Sequence, residues 1–167
     1  MIFNKKIIFL DIDGVLRTYK SDLEWSKKLN EPVYHGALRL FKKELVDNLN
    51  EVIYLTGAKI VITSSWRVHL SLEELQKIFK DRGVIGEVIG KTGLGHLKAG
   101  SPIPLGNRGL EISDWLDRNP VRKYVIIDDQ VSDIINVFTN WKVIKVNPQV
   151  GFVEVEKALD IDFLFKT

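Results

Sequence analysis

Three short apolar runs constrain this chain more than any other feature: Ile7-Ile8-Phe9-Leu10, Lys59-Ile60-Val61-Ile62 and Tyr124-Val125-Ile126-Ile127. They read as buried strands, and each ends abruptly in polar residues: Asp11-Ile12-Asp13-Gly14, then Thr63-Ser64-Ser65, then Asp128-Asp129. In open α/β sheets the carboxyl edge of the strands is where ligands bind. The order acid, hydroxyl, acid supplies what a phosphate and a hard cation together need.

Between and around these runs, strand and helix patterns alternate. A strand over 6–11 is followed by a polar insertion over about 17–36. A helix over about 38–55 carries Leu38, Phe41, Leu45, Leu49 and Val52 on one face, with Gly57 as its stop. After the strand at 59–63, Ser71 with Glu74 three residues on is a capping-box signature for a helix over 71–82 that Gly83 closes. Val84-Ile85 and Val88-Ile89 suggest a third strand. A helix at 109–118, a strand at 123–128, a helix at 132–139, a strand at 142–146 and a helix at 152–160 complete the series. This alternation predicts an α/β fold, a parallel sheet with helices on both faces, in a single domain over 1–167.

Carboxylates at adjacent strand ends need a counter-charge. At about 4 Å two of them repel by roughly 1 kcal/mol in water, and by several times that near a protein surface. A divalent cation resolves the conflict for Asp11, Asp13, Asp128 and Asp129, and magnesium suits the donor type, since it takes one or two carboxylates together with substrate phosphate oxygens. Thr63, or Ser64 if the strand runs one residue further, would direct a hydroxyl at the phosphate. The same residues also suit a helix N-cap.

Asp11-Ile12-Asp13-Gly14-Val15-Leu16, Thr63 and Ile127-Asp128-Asp129 resemble the first, second and fourth motifs of the haloacid dehalogenase (HAD) phosphohydrolase superfamily. In more detail the chain is similar to the HAD domain of Swiss Army Knife RNA-repair proteins. That closer likeness rests on Ser64-Ser65-Trp66-Arg67, on Arg108 with Glu111-Ile112 and Trp115-Leu116, on Tyr124 to Asp129, and on Gly151 ahead of a terminal helix.

The resemblance implies a three-layer Rossmann-like fold with a minimal cap and a Mg²⁺-dependent phosphomonoesterase. Asp11 would be the nucleophile that forms an aspartyl-phosphate. Asp13 would protonate the leaving oxygen and then activate water. Dehalogenating relatives lack this second acid. The third motif, a cation that neutralises phosphoryl oxygens, falls to Arg108 or to its rival Lys98. Asp128 ends its strand and is the better metal ligand, while Asp129 binds the metal through water or orients a ligand. Arg67 would reach a phosphate or make a local salt bridge, and Asp133 would support the site from outside it. The implied substrate is an RNA or DNA terminal phosphate, with a small phosphate ester as the alternative and a non-catalytic binding module as the third reading. A repair-protein partner is implied as well.

The insertion is too short for a separate lid, so an open site is expected. Tyr19, Trp25 and Tyr34 within it would stack on bases or pack the insertion onto the body. Residues 91–109 hold Lys91, His96, Lys98 and Arg108 and no acid, the composition of a cationic loop. His69 and His96 are too isolated to pair as metal ligands.

The net charge is only +2, from 24 basic and 22 acidic residues, and does not by itself demand a nucleic-acid partner. No cysteine is present, which excludes disulfides and thiolate metal sites and suits a cytoplasmic location. The N-terminal apolar run stops at Asp11, and no segment approaches the roughly 20 apolar residues of a membrane span.

Overall fold

The apolar runs form adjacent parallel strands at the centre of a five-stranded sheet of order β3-β2-β1-β4-β5. The computed structural model describes residues 5–30, 40–93 and 106–163. The strands are β1 (Lys6–Leu10), β2 (Lys59–Ile62), β3 (Val88–Lys91), β4 (Lys123–Asp128) and β5 (Val143–Lys145). The helices are α1 (Tyr19–Leu29), α2 (Lys43–Thr56), α3 (Trp66–His69), α4 (Leu72–Asp81), α5 (Arg108–Arg118) and α6 (Val155–Phe163). In register, β1 sets Leu10 beside Ile62 on one side and Ile127 on the other.

Alternate strand residues feed two cores, which is why the runs are apolar throughout. Ile8, Leu10, Ile60, Ile62, Val125 and Ile127 pack in one cluster with residues of α2, α4 and α6. Ile7, Phe9, Val61 and Ile126 pack in the other with Ile112 of α5 and with Val131 and Ile134. The expected three layers are present. No helix among the described residues is long and apolar enough to cross a membrane.

Local signals held where side chains had one clear role. Ser71 and Glu74 close both halves of their capping box, at 3.1 and 2.8 Å. Gly57, at φ 68°, ends α2 with its N–H on the Ile53 carbonyl. Helix α2 begins later than expected, at Lys43; Phe41 is buried ahead of it, and Leu38 lies outside the described residues.

The polar insertion contains α1, fastened by a capping box between Thr18 and Ser21. Two expectations are corrected. Val84-Ile85 is not strand: the Asn50 amide donates to the Gly83 carbonyl and accepts the Ile85 N–H, which satisfies this backbone outside the sheet. Residues 132–139 form successive turns, not a helix. There Gly109 of α5 lies so close that a Cβ on it would come 2.5 Å from the Asp133 carbonyl oxygen. Ile134, Ile135 and Val137 add β-branched crowding that disfavours a helix.

Candidate active site

The chain leaves β1 for β2 on one side and returns to β4 on the other, so β1 and β4 flank the point where strand order reverses. Ligand sites in open sheets form at such points. Hydrogen bonds continue past the strand ends and fix the polar residues there. Asp11 N–H donates to Ile127 O at 3.0 Å, Thr63 N–H to Leu10 O at 3.0 Å, and Asp128 O accepts Val146 N–H at 2.8 Å. The chain then turns at Gly14, at φ +79°, where a Cβ would stand 2.7 Å from Asp129 Oδ2. Glycine here makes both the turn and the space for a carboxylate.

Asp11, Asp128 and Asp129 come together as expected, with one oxygen from each lying within 4.8 Å of the others. Asp11 is 2% exposed and Asp128 0%. Arg108, first residue of α5, lies between them: its Nη1 is 3.2 Å from Asp11 Oδ2 and bonds both Asp128 oxygens at 2.6 and 2.5 Å. Asp133, on the facing turns, anchors that helix end by accepting the Arg108 backbone N–H at 2.5 Å.

The electrostatics are strained in a way a cation relieves. Burial, followed by the charge of Asp128, pushes the Asp11 carboxyl up to about 8 against the pull of Arg108. Burial also pushes Asp128 up to about 6, with Arg108 and the Gln130 N–H opposing. Burial works against the Arg108 charge too, but Asp11 and Asp128 outweigh it and hold its pKa above the ordinary arginine value. Asp11 Oδ1 is buried with no hydrogen-bond partner. A partnerless carboxylate oxygen inside an all-oxygen donor set fits Mg²⁺, which binds such hard ligands.

Asp13 stands apart from the trio. Its carboxylate is exposed, accepts the Trp66 indole N–H at 2.9 Å and lies 3.7 Å from Arg17 Nε. Asp11, Asp13, Tyr19, Ser65, Arg108 and Asp129 line one open cavity of about 360 Å³. Sequence reasoning had not placed Ser65 there, nor linked Trp66 to Asp13. The word Ser64-Ser65-Trp66-Arg67 was the available signal, but nothing in its spacing says which side chain faces the acid.

The hydroxyl turn is tightly enclosed. Thr63 and Ser64 are fully buried, and Thr63 Oγ1 has no partner. Arg67 does not point at the cavity. Its Nη1 donates to the carbonyls of Thr63 at 2.7 Å and Ser64 at 2.9 Å, and its Nη2 pairs with Glu111. The expectation of a phosphate contact gives way to the local salt bridge, because these acceptors take up the guanidinium inside the protein.

The rest of the proposed cationic loop divides. Lys91 donates to the carbonyls of Arg67 and Leu70 at 2.9 and 2.6 Å, while Lys98 and His96 lie outside the described residues. Tyr19 is 67% exposed at the cavity, Trp25 is half-buried with Lys28 over its ring, and Tyr34 lies outside the described residues.

Neither the curated proteins nor the solved structures include a match to this chain. The family model for the HAD domain in Swiss Army Knife RNA repair proteins does match, over residues 7–156, and those bounds take in β1 from Ile7 onward, β2 to β5 and the acidic trio. The chain therefore belongs to that HAD family.

Proposed function

We propose that this protein is a Mg²⁺-dependent phosphomonoesterase that works through an aspartyl-phosphate on Asp11 and takes a nucleic-acid terminal phosphate, RNA foremost. The observation that carries the reading is the convergence of Asp11, Asp128 and Asp129 around the Arg108 guanidinium at neighbouring strand ends. Three carboxylates against one guanidinium leave a formal charge of minus two, the complement of one divalent cation.

Asp11, Asp128 and Asp129 would hold the ion, which when bound supplies positive charge to the phosphoryl oxygens. An Asp11 oxygen attacks phosphorus in line as the bond to the leaving oxygen breaks. Arg108 offsets charge on the transferring group and on Asp11. Asp13, unconstrained by the trio and facing the same cavity, gives its proton to the leaving oxygen. In the second half, Asp13 takes a proton from water as that water's oxygen bonds to phosphorus and the Asp11–phosphorus bond breaks. Of the hydroxyl turn, Ser65 lines the cavity, while Thr63 and Ser64 lie buried behind it.

Substrate class rests on the family's RNA-repair context and on the shape of the site. Only α1, 11 residues long, stands between β1 and α2 among the described residues, and Tyr19 at its start offers an exposed ring to a terminal base.

A panel of phosphate esters, with magnesium present and omitted, tests the reading. Phosphate should be released from 3′-phosphorylated oligoribonucleotides only with the metal. Release from mononucleotides or sugar phosphates alone would replace the nucleic-acid assignment with a small-molecule one, and no release from any ester would leave a binding module.

A further inference from the structure

Trp66 belongs to a family word that the chemistry above leaves unused, yet its side chain touches the reaction machinery directly. Its Nε1–H donates to Asp13 Oδ2 at 2.9 Å across a separation of 53 residues. The indole is itself held in place: its ring packs 6.2 Å from Phe41, and the Arg17 guanidinium lies 5.6 Å over its centroid. Arg17, only 6% exposed, extends the support on the other side of Asp13, with Nε 3.7 Å from Oδ1 and Nη2 2.6 Å from Asp22 of α1. An exposed aspartate on a turn ordinarily samples several rotamers. Here both oxygens are addressed from fixed groups, one by an indole donor and one by a buried cation.

We propose that Trp66 is the positioning residue for the proton-transfer group: its N–H holds Oδ2 so that Oδ1 faces the leaving oxygen. The proposal rests on the phosphatase reading given above. Geometry has this effect because a proton donor must stand within hydrogen-bond reach of its acceptor, and misplacement by about 1 Å costs up to roughly a hundredfold in rate. Trp66 does not touch substrate. Its influence passes through Asp13 alone, so it should matter only where a leaving group needs a proton.

The test compares Trp66→Phe with wild type on two esters: a 3′-phosphorylated oligonucleotide, whose ribose oxygen must be protonated, and p-nitrophenyl phosphate, whose nitrophenolate leaves without a proton. The quantity read is kcat/KM, which reports steps up to transfer of phosphorus onto Asp11. We expect a fall of about tenfold or more on the oligonucleotide and less than about threefold on the aryl ester. In an Asp13→Asn background, the same Trp66 change should alter kcat/KM by less than about twofold, because the group it orients is gone.

Equal losses on both esters, additive losses in the double variant, or no loss on either would overturn the proposal. A reduced folded fraction lowers both substrates alike, so the ratio between them stays readable in Trp66→Phe and in Trp66→Leu. Wild type inert on both esters would instead defeat the phosphatase reading itself.

Discussion

Arg67 and Glu111, separated by 44 residues, form an ion pair with side chains only 4% and 1% exposed. The pair joins the hydroxyl turn after β2 to the helix whose first residue is Arg108, and so spans two sides of the site. Burial lowers the Arg67 pKa and raises that of Glu111, so desolvation opposes the charges more than their mutual attraction supports them. Removing one partner would leave the other charged and buried. We expect Glu111→Ala to lower the unfolding free energy by about 3–5 kcal/mol. Urea unfolding measures it, and a loss below about 1 kcal/mol would show that water reaches Arg67 freely.

Asp11 and Asp128 make metal-free stability fall with rising pH. Folded, Asp11 keeps its proton up to about pH 8, whereas its ordinary pKa is 3.8. Between these values the folded chain binds more protons than the unfolded one, and stability declines as pH rises through that window. Asp128, raised to about 6, adds the same sign over a shorter range. The thermal midpoint of protein treated with chelator should drop from about pH 5 to about pH 8, and Asp11→Asn should flatten the profile. A midpoint that climbs over this range would show that the two carboxyls are not buried together.

Gly14→Ala should weaken metal binding in addition to straining the fold. The backbone there is at φ +79°, and the new Cβ would stand 2.7 Å from Asp129 Oδ2, which moves more readily than backbone. Asp129 would be displaced from the trio. Titration calorimetry with Mg²⁺ should give a Kd higher by roughly tenfold, equivalent to about 1.4 kcal/mol. An unchanged Kd would remove Asp129 from the donor set.

Arg108→Ala should lower kcat/KM by about a hundredfold or more, as expected for loss of a fixed charge at a developing anion. Arg108→Lys, which keeps the charge but not the planar group, should recover most of it. If steady-state kinetics show the lysine variant no better than alanine, the shape of the guanidinium matters and not its charge alone.

The legible parts of this molecule are those where one residue type has one job. The strand ends could be read because a strand buried on both faces must stop at its first carboxylate, as β1 does at Asp11 and β4 at Asp128. For the cation the resemblance offers Arg108 or Lys98; Arg108 opens α5 beside Asp11 and Asp128, and Lys98 lies outside the described residues. Arg67 was harder. Beside a hydroxyl motif an arginine has the chemistry of a phosphate ligand, and its partner Glu111 is brought to it only by tertiary packing. Helix α1 left no apolar stripe, since Ser21 is the residue it buries. The turns at 132–139 carry an apolar spacing that suits a helix, but the close approach of Gly109 to Asp133 decides otherwise, a contact between segments far apart in sequence.

The most direct test of the account is chemical trapping of the intermediate. Protein turning over a 3′-phosphorylated oligonucleotide with Mg²⁺ is quenched in acid and reduced with borohydride, which converts an aspartyl-phosphate to homoserine, and the peptide containing residues 6–17 is read by mass spectrometry. Homoserine at Asp11, dependent on both metal and substrate and lost in Asp128→Asn, is the expected result. Steady release of phosphate with Asp11 never modified would contradict it.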